Sequence, residues 1–374
     1  MTTRDPYLDN ARGLLIGLVV LGHLLTPLAT PETDVLNLWI YSFHMAAFVT
    51  VSGYVARGWT GSPRQAATIV TSLVVPYVLL DLAHEAIASV QDGTPIRVTL
   101  LTPAFTLWFL VALALWRLAT PVLRVLRHPL ALAVVLSLVL PFERALDSTI
   151  SLGRVVGFLP FYVLGVCATP ATLERLRGLR RRWRLAGGVY LVALLVVCAV
   201  VEDRVRRGWF FLDGSYRELG LDPVPGLVIR ALALAGGLLG TVAILLVAPR
   251  GDSWLTRWGR NSLAIYIVHA LLVRPFLGSG TLKALEGPWV VAAAVGVAAV
   301  LTGVLALDPV ARGVDALVRP AWLGRLLTDR EAAARRGAPA DAPRSGTEVR
   351  SGTEVRSSTE TTGVPGDEQS RPAQ

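Results

Sequence analysis

The chain reads as an all-α integral membrane protein, a bundle of about ten transmembrane helices followed by a disordered C-terminal tail. Three observations predict this class. Of the 374 residues, 53% are hydrophobic and the mean hydropathy is +0.54, too apolar for a soluble chain of this length. The apolar residues fall into runs bounded by Pro, Gly or charge, and from about Arg330 that pattern stops.

The runs lie at about 13–29, 35–56, 66–90, 101–119, 129–142, 152–169, 186–201, 225–248, 261–278 and 288–307. Each predicts a helix, the fifth from the weakest pattern. The first run is followed by Thr26-Pro27-Leu28 and Thr30-Pro31 instead of a small-residue cleavage site, so it is expected to remain as a helix. Residues 1–328 are thus expected to form one polytopic membrane domain. Residues 329–374, rich in Ala, Pro, Gly, Ser, Thr, Glu and Arg, are expected to be a disordered cytoplasmic tail, whose short Ser-Gly-Thr-Glu-Val-Arg repeat offers too few apolar side chains to bury a core.

Arginine placement predicts the orientation, because cytoplasmic loops near helix ends are enriched in Lys and Arg. Arg57 and Arg64, then Arg117, Arg124 and Arg127, then the cluster from Arg175 to Arg184, then Arg250, Arg257 and Arg260 fall in alternate loops. These loops are expected inside, with both termini cytoplasmic and the protein in the plasma membrane. Arg204, Arg206 and Arg207 break the rule on the opposite side. The net charge of +9 could suggest nucleic acid, but the arginines are spread over helix-flanking loops and form no single stripe. No nucleic-acid partner is expected. Cys167 and Cys198 sit in apolar runs without metal-ligand spacing and read as small core residues.

The first run drives His23 into a segment otherwise suited to lipid. The eleven-residue step from Arg12 is close to three helical turns, so both side chains project from one face roughly 16 Å apart. Asp9 lies one turn before Arg12 on nearly the same stripe. An ionisable residue within a membrane helix is by default a candidate functional group. In the second run, His44, Phe48 and Ser52 form another stripe, which suits either substrate contact or close helix packing beside Gly53. Asp81, His84 and Glu85 lie within one turn of each other in the third run, where a carboxylate beside an imidazole raises its basicity and fixes its tautomer. In the ninth, Ser262, Tyr266 and His269 share a face. Trp108, in Leu107-Trp108-Phe109-Leu110, suits an interfacial belt or a channel wall. No metal is expected, because no His/Asp/Glu motif with ligand spacing accompanies these histidines. Neither a phosphate-binding Gly-rich loop nor a Gly-x-Ser-x-Gly nucleophile setting is present.

Several of these blocks together resemble the membrane acyltransferase family 3, in particular its branch similar to fucose 4-O-acetylase-like acetyltransferases. They are Asp5-Pro-Tyr7-Leu-Asp9-Asn-Ala-Arg12-Gly13 with the ten-residue gap to His23, Phe43-His44-Met45 through Ser52-Gly53-Tyr54, and Pro76-Tyr77. Further along come Leu107 to Leu110, Phe158 to Gly165, Ser215 to Gly220 and Gly259 to His269. Two departures stand out: Arg57 and Arg64 are separated by six intervening residues where relatives carry a compact Arg-x-x-Arg, and Ala46 replaces a proline after Met45.

The resemblance implies a ten-helix enzyme that moves an acyl group, usually acetyl, from cytoplasmic acyl-CoA to a hydroxyl of a carbohydrate or similar cell-envelope acceptor. It implies that Arg12 and His23 form the Arg-x10-His motif, with His23 essential as general base or transient acyl carrier and Asp9 and Arg12 organising the cytoplasmic end. Arg12, Arg57, Arg64 and Arg260 are the candidates for the phosphates of acyl-CoA, since guanidinium is the side chain best shaped for phosphate. In the resemblance acyl-CoA, acetyl-CoA being the usual form, is a donor substrate and not a resident cofactor. His44, Ser52, Asp81, His84, Trp108, Tyr266 and His269 are the candidates for substrate contact, and the loop from Glu202 to Asp222, with Arg204, Trp209, Tyr216 and Arg217, is long enough to touch a sugar. A transporter or flippase using buried His and Asp as a proton path is the alternative.

Overall fold

The computed structural model describes residues 4–28, 30–96, 98–143, 149–276, 285, 287 and 289–319. The expected boundary near 328 and the tail lie outside the described residues, as do Arg97, Arg144 and Lys283.

All regular structure among the described residues is helical. In chain order the α-helices are α1 (Pro6–Leu25), α2 (Pro31–Tyr41), α3 (His44–Ala56), α4 (Pro63–Ile69), α5 (Val75–Asp92), α6 (Trp108–Val125), α7 (Pro129–Val139) and α8 (Leu152–Gly157). They continue with α9 (Leu159–Cys167), α10 (Pro170–Gly178), α11 (Arg181–Val201), α12 (Pro223–Val247), α13 (Trp254–Arg260), α14 (Ser262–Val273), α15 (Trp289–Leu305) and α16 (Asp308–Val318). The starts follow from local chemistry. Asp5 caps α1 by accepting from Tyr7 N with Pro6 in the first turn, and Thr30-Pro31 and Ser62-Pro63 open α2 and α4 with capping boxes to Thr33 and Gln65.

Every predicted apolar run is occupied by helix, but not every helix is a full crossing. Among the described residues six helical stretches are long and apolar enough to span, with Pro31–Ala56 (α2 and α3) and Pro63–Asp92 (α4 and α5) each counted as one, or seven if α15 and α16, bent by 71°, count as one. Ten spans were expected. The apolar stretches Pro129–Phe142 and Ser262–Phe276 are too short for a hydrocarbon core of about 30 Å at about 1.5 Å per residue. The run at 152–169 is divided at Phe158 into α8 and α9, with Pro160 opening the second piece. Between α4 and α5 the third run holds a π-helical turn, Val70–Val74, just ahead of Pro76, whose missing N–H loosens the ladder there.

The bundle leaves a lipid-facing skin. On α11, Leu185, Val189, Val192, Val196 and Val200 are all exposed along one stripe, as an apolar face requires when lipid is its solvent. Inside, α1 is the central helix and packs against α13, α14, α15, α2 and α3. Its contact with α13 is backbone to backbone at Gly259, where a Cβ would collide with the carbonyl of Asp9. Gly53 serves α3 in the same way against the carbonyl of Tyr162 on α9.

Candidate active site

A cavity of about 400 Å³ runs through the bundle along one stripe of α1: Arg12, Ile16, Val19, His23 and Thr26 all line it. That stripe covers about 21 Å of helix axis. Across the cavity α3 contributes His44, Phe48, Val51 and Ser52, α6 contributes Trp108, Phe109, Leu113 and Arg117, and α14 contributes Ser262 and Tyr266. The π-helical turn brings Ser72 and Leu73 to the wall as well.

The Arg12 end is cationic. Arg12 donates from Nη2 to Ser262 Oγ at 2.8 Å, and its Nη1 lies 3.5 Å from Asp9 Oδ1. Asp9 is buried and does not line the cavity; its other oxygen meets Arg4 Nε at 3.2 Å. It pairs with Arg12 from behind the wall. Arg117 and Arg319 join Arg12 in the wall, and the Nε of each is buried without a hydrogen-bond partner among the described residues. Arg57, Arg64 and Arg260 are outside this wall. Arg57 folds back on its own helix, donating to Tyr54 O at 2.8 Å over the Tyr54 ring, while Arg64 and Arg260 are exposed. The six-residue gap between Arg57 and Arg64 puts the second on the next helix, so no compact pair forms. Apart from Arg12, the arginines that reach the cavity carry in the sequence only a topology signal or none.

Farther along stands a histidine pair. His23 Nδ1 and His269 Nε2 are 2.9 Å apart, and His269 Nδ1 is 2.8 Å from the carbonyl of Ile265. A carbonyl oxygen can only accept, so His269 Nδ1 carries a hydrogen. With both rings neutral, His269 Nε2 must then accept, His23 Nδ1 must donate, and the lone pair of His23 falls on Nε2. No partner for that nitrogen lies among the described residues, and His23 lines the cavity. The geometry leaves His23 Nε2 free to take a proton and lets His269 fix the orientation of the His23 ring.

Phe105 packs its ring 5.0 Å from that of His23, from a backbone position with φ of 47°. A bulky residue in the left-handed region is strained. The following Thr106 offers its carbonyl to Tyr266 Oη, tying this strained loop to α14. His44 also donates from Nδ1, to Ile40 O at 2.7 Å, and meets the Tyr41 ring edge-on at 4.9 Å. Ser52 donates to Phe48 O at 2.9 Å while lining the wall, and Trp108 stacks on Phe158 at 5.5 Å.

Asp81 and His84 do not reach the cavity wall. Asp81 Oδ1 accepts from Ala104 N at 3.1 Å and His84 donates from Nδ1 to Leu80 O at 2.8 Å; both are buried behind the Phe105 loop, with Asp81 Oδ2 and His84 Nε2 unpartnered among the described residues. In the loop from Glu202 to Asp222, Tyr216 is buried and donates to Leu138 O, and Arg204 and Arg217 are exposed. The segment of that loop that does line the cavity is Arg207, Phe210 and Phe211.

An all-helical membrane bundle enclosing a cavity with arginines at one end and an oriented imidazole farther in defines a membrane enzyme suited to group transfer. Residues 5–308 match the model of the acyltransferase domain family known as Acyl_transf_3, and the chain belongs to that family. It is similar to nodulation protein NolL of Sinorhizobium fredii, 47% identical over 62 residues, and to nodulation protein NolL of Mesorhizobium japonicum, 45% identical over 60 residues. Each match covers 15% of this chain and 16% of the relative. No solved structure matches the chain.

Proposed function

We propose that the protein is a plasma-membrane O-acyltransferase that moves an acetyl or short acyl group from cytoplasmic acyl-CoA to a hydroxyl of a cell-envelope carbohydrate. The observation that supports this most is the histidine pair, which leaves His23 Nε2 as a lone pair in a cavity whose near end is lined by Arg12, Arg117 and Arg319. These three guanidiniums suit the phosphates of coenzyme A. In this reading Arg12 keeps the donor role expected of it from the sequence, and Arg117 and Arg319 stand in for Arg57, Arg64 and Arg260.

In the direct reaction, His23 Nε2 takes the proton of the acceptor hydroxyl as its oxygen attacks the thioester carbonyl. The C–S bond breaks as the new C–O bond forms, and the departing thiolate recovers the proton from His23. His269 accepts from His23 Nδ1 throughout and stabilises the imidazolium, as the third member of a nucleophile–base–orienter set does. General-base catalysis of this kind contributes about 10² to 10⁴-fold.

The experiment is incubation of purified protein with radiolabelled acetyl-CoA and a panel of envelope glycans. Label is expected to move to glycan with the wild type and not with His23→Ala, whose elution from size exclusion should match the wild type. Full transfer by His23→Ala would remove His23 from the mechanism. Uptake of glycan into vesicles without acylation would favour a carrier.

A further inference from the structure

The end of the cavity away from Arg12 carries charge that the transfer reaction does not use. Arg154, from α8, and Arg207, from the loop before α12, both line it. Both guanidiniums lie on the ring of Phe211, at 5.7 and 6.0 Å from its centroid; Arg154 also covers Trp108 at 5.3 Å and Arg207 covers Tyr41 at 5.4 Å. Among the described residues one carboxylate serves the two. Asp213 Oδ2 lies 2.6 Å from Arg154 Nη2 and 2.9 Å from its Nε. Arg207 has no carboxylate partner among the described residues; its neighbour is the amide of Asn37, which in its satisfied orientation donates to Gly22 O and accepts from Arg207 Nη1 at 3.1 Å.

This placement accounts for the break in the charge pattern of the loops. Arginine on the outer side of a membrane protein opposes the usual bias, and a half-buried guanidinium among aromatic faces is poorly screened by water. Such a cation requires a counter-charge or a use. Tyr41 also touches His44, so the Arg207 group is joined through one ring to the wall that faces His23.

We propose that this end of the cavity seats an oxyanion of the acceptor, a carboxylate or a phosphodiester, between Arg207 and Arg154, whose guanidiniums are held in place on the rings of Tyr41, Phe211 and Trp108. The acceptor class is thus an anionic glycan or glycosyl phosphate instead of a neutral sugar. This rests on the acyltransferase reading for the word acceptor, but the anion seat itself is a binding property. Guanidinium presents paired N–H groups that match either oxyanion, and the aromatic rings beneath the two arginines fix where those groups point.

Binding and transfer are measured together on the purified full-length protein, with methyl hexosides in three matched forms: neutral, oxidised to the C6 carboxylate, and joined through a C1 methyl phosphodiester. At least one charged form is expected to bind the wild type about tenfold more tightly than the neutral form, with the preference shrinking as salt rises; which one prefers the site identifies the oxyanion. Arg207→Gln should bring the charged-to-neutral ratio close to one, and Arg207→Lys should retain part of it. Equal binding of all three forms by the wild type overturns the proposal. So does a ratio that survives Arg207→Gln while overall binding falls, since that is the signature of an arginine that only folds the loop. If the charged form binds preferentially but no acetyl is transferred to any form, the anion seat stands and the acyltransferase reading fails; if the neutral form is acetylated as well as the charged ones, the reverse holds.

Discussion

His23 and His269 share a 2.9 Å hydrogen bond between Nδ1 and Nε2, with their rings parallel to within 4°. The bond couples two helices through the centre of the bundle, and its direction is dictated by the carbonyl of Ile265. His269 itself does not line the cavity, so in the proposed mechanism it acts through His23. His269→Ala is expected to lower kcat for acyl transfer about 10 to 100-fold, the usual cost of losing an orienting partner, with the KM for acyl-CoA unchanged. His269→Gln keeps a side-chain carbonyl able to accept from His23 Nδ1 and should recover part of the loss. Steady-state kinetics of both variants check this, and equal losses in the two would argue for a packing role.

The donor end is testable through KM. Arg117 and Arg319 stand in the cavity wall with Arg12, and the buried Nε of each is unpartnered among the described residues. Arg117→Ala and Arg319→Ala are each expected to raise the KM for acyl-CoA about tenfold, near the worth of one charge-assisted hydrogen bond, with a smaller effect on kcat. In the wild type that KM should rise with ionic strength. An unchanged KM in both variants would return the donor site to other arginines.

Packing yields a prediction independent of chemistry. A Cβ at Gly53 would meet the backbone carbonyl of Tyr162, which has nowhere to move because α3 and α9 lie against each other. Gly53→Ala should cost about 1 to 3 kcal/mol, the range for overpacking, read as a lower thermal midpoint in detergent. Gly58→Ala, where a Cβ meets nothing within 4 Å, should leave the midpoint in place.

What the sequence made legible follows from how each signal is built. The Arg12–His23 step and the Ser262–Tyr266–His269 stripe each lie within one helix, so helical periodicity alone put their members on a common face. The pairing of His23 with His269 joins residues far apart in the chain, and no spacing encodes it. Asp81 and His84 looked alike to the other polar groups by composition, yet the Phe105 loop stands between them and the cavity. Arg117 was hidden by its own explanation, because an arginine near a helix end already has a topological reason to exist. Arg207 carried the opposite signal: it broke the charge rule, and the exception marked a residue that lines the cavity. Helix length was the weakest inference, since apolarity does not reveal the break at Phe158 or the 71° bend after Leu305.

Phe105 tests whether strain is held for function. Its φ of 47° costs a non-glycine residue about 1 to 2 kcal/mol, and glycine adopts the same conformation freely. Phe105→Gly and Phe105→Ala both remove the ring that packs 5.0 Å from His23, but only the glycine variant also relieves the backbone. If the loop is kept strained to hold that ring, both variants should lose most acyl transfer, while Phe105→Gly should be the more stable of the two by about 1 kcal/mol. Thermal midpoints and initial rates of the two variants, measured side by side, separate the contributions. A glycine variant that is stable and retains wild-type rates would mean that the ring does not position His23, and that the strain at Phe105 serves the fold of the loop alone.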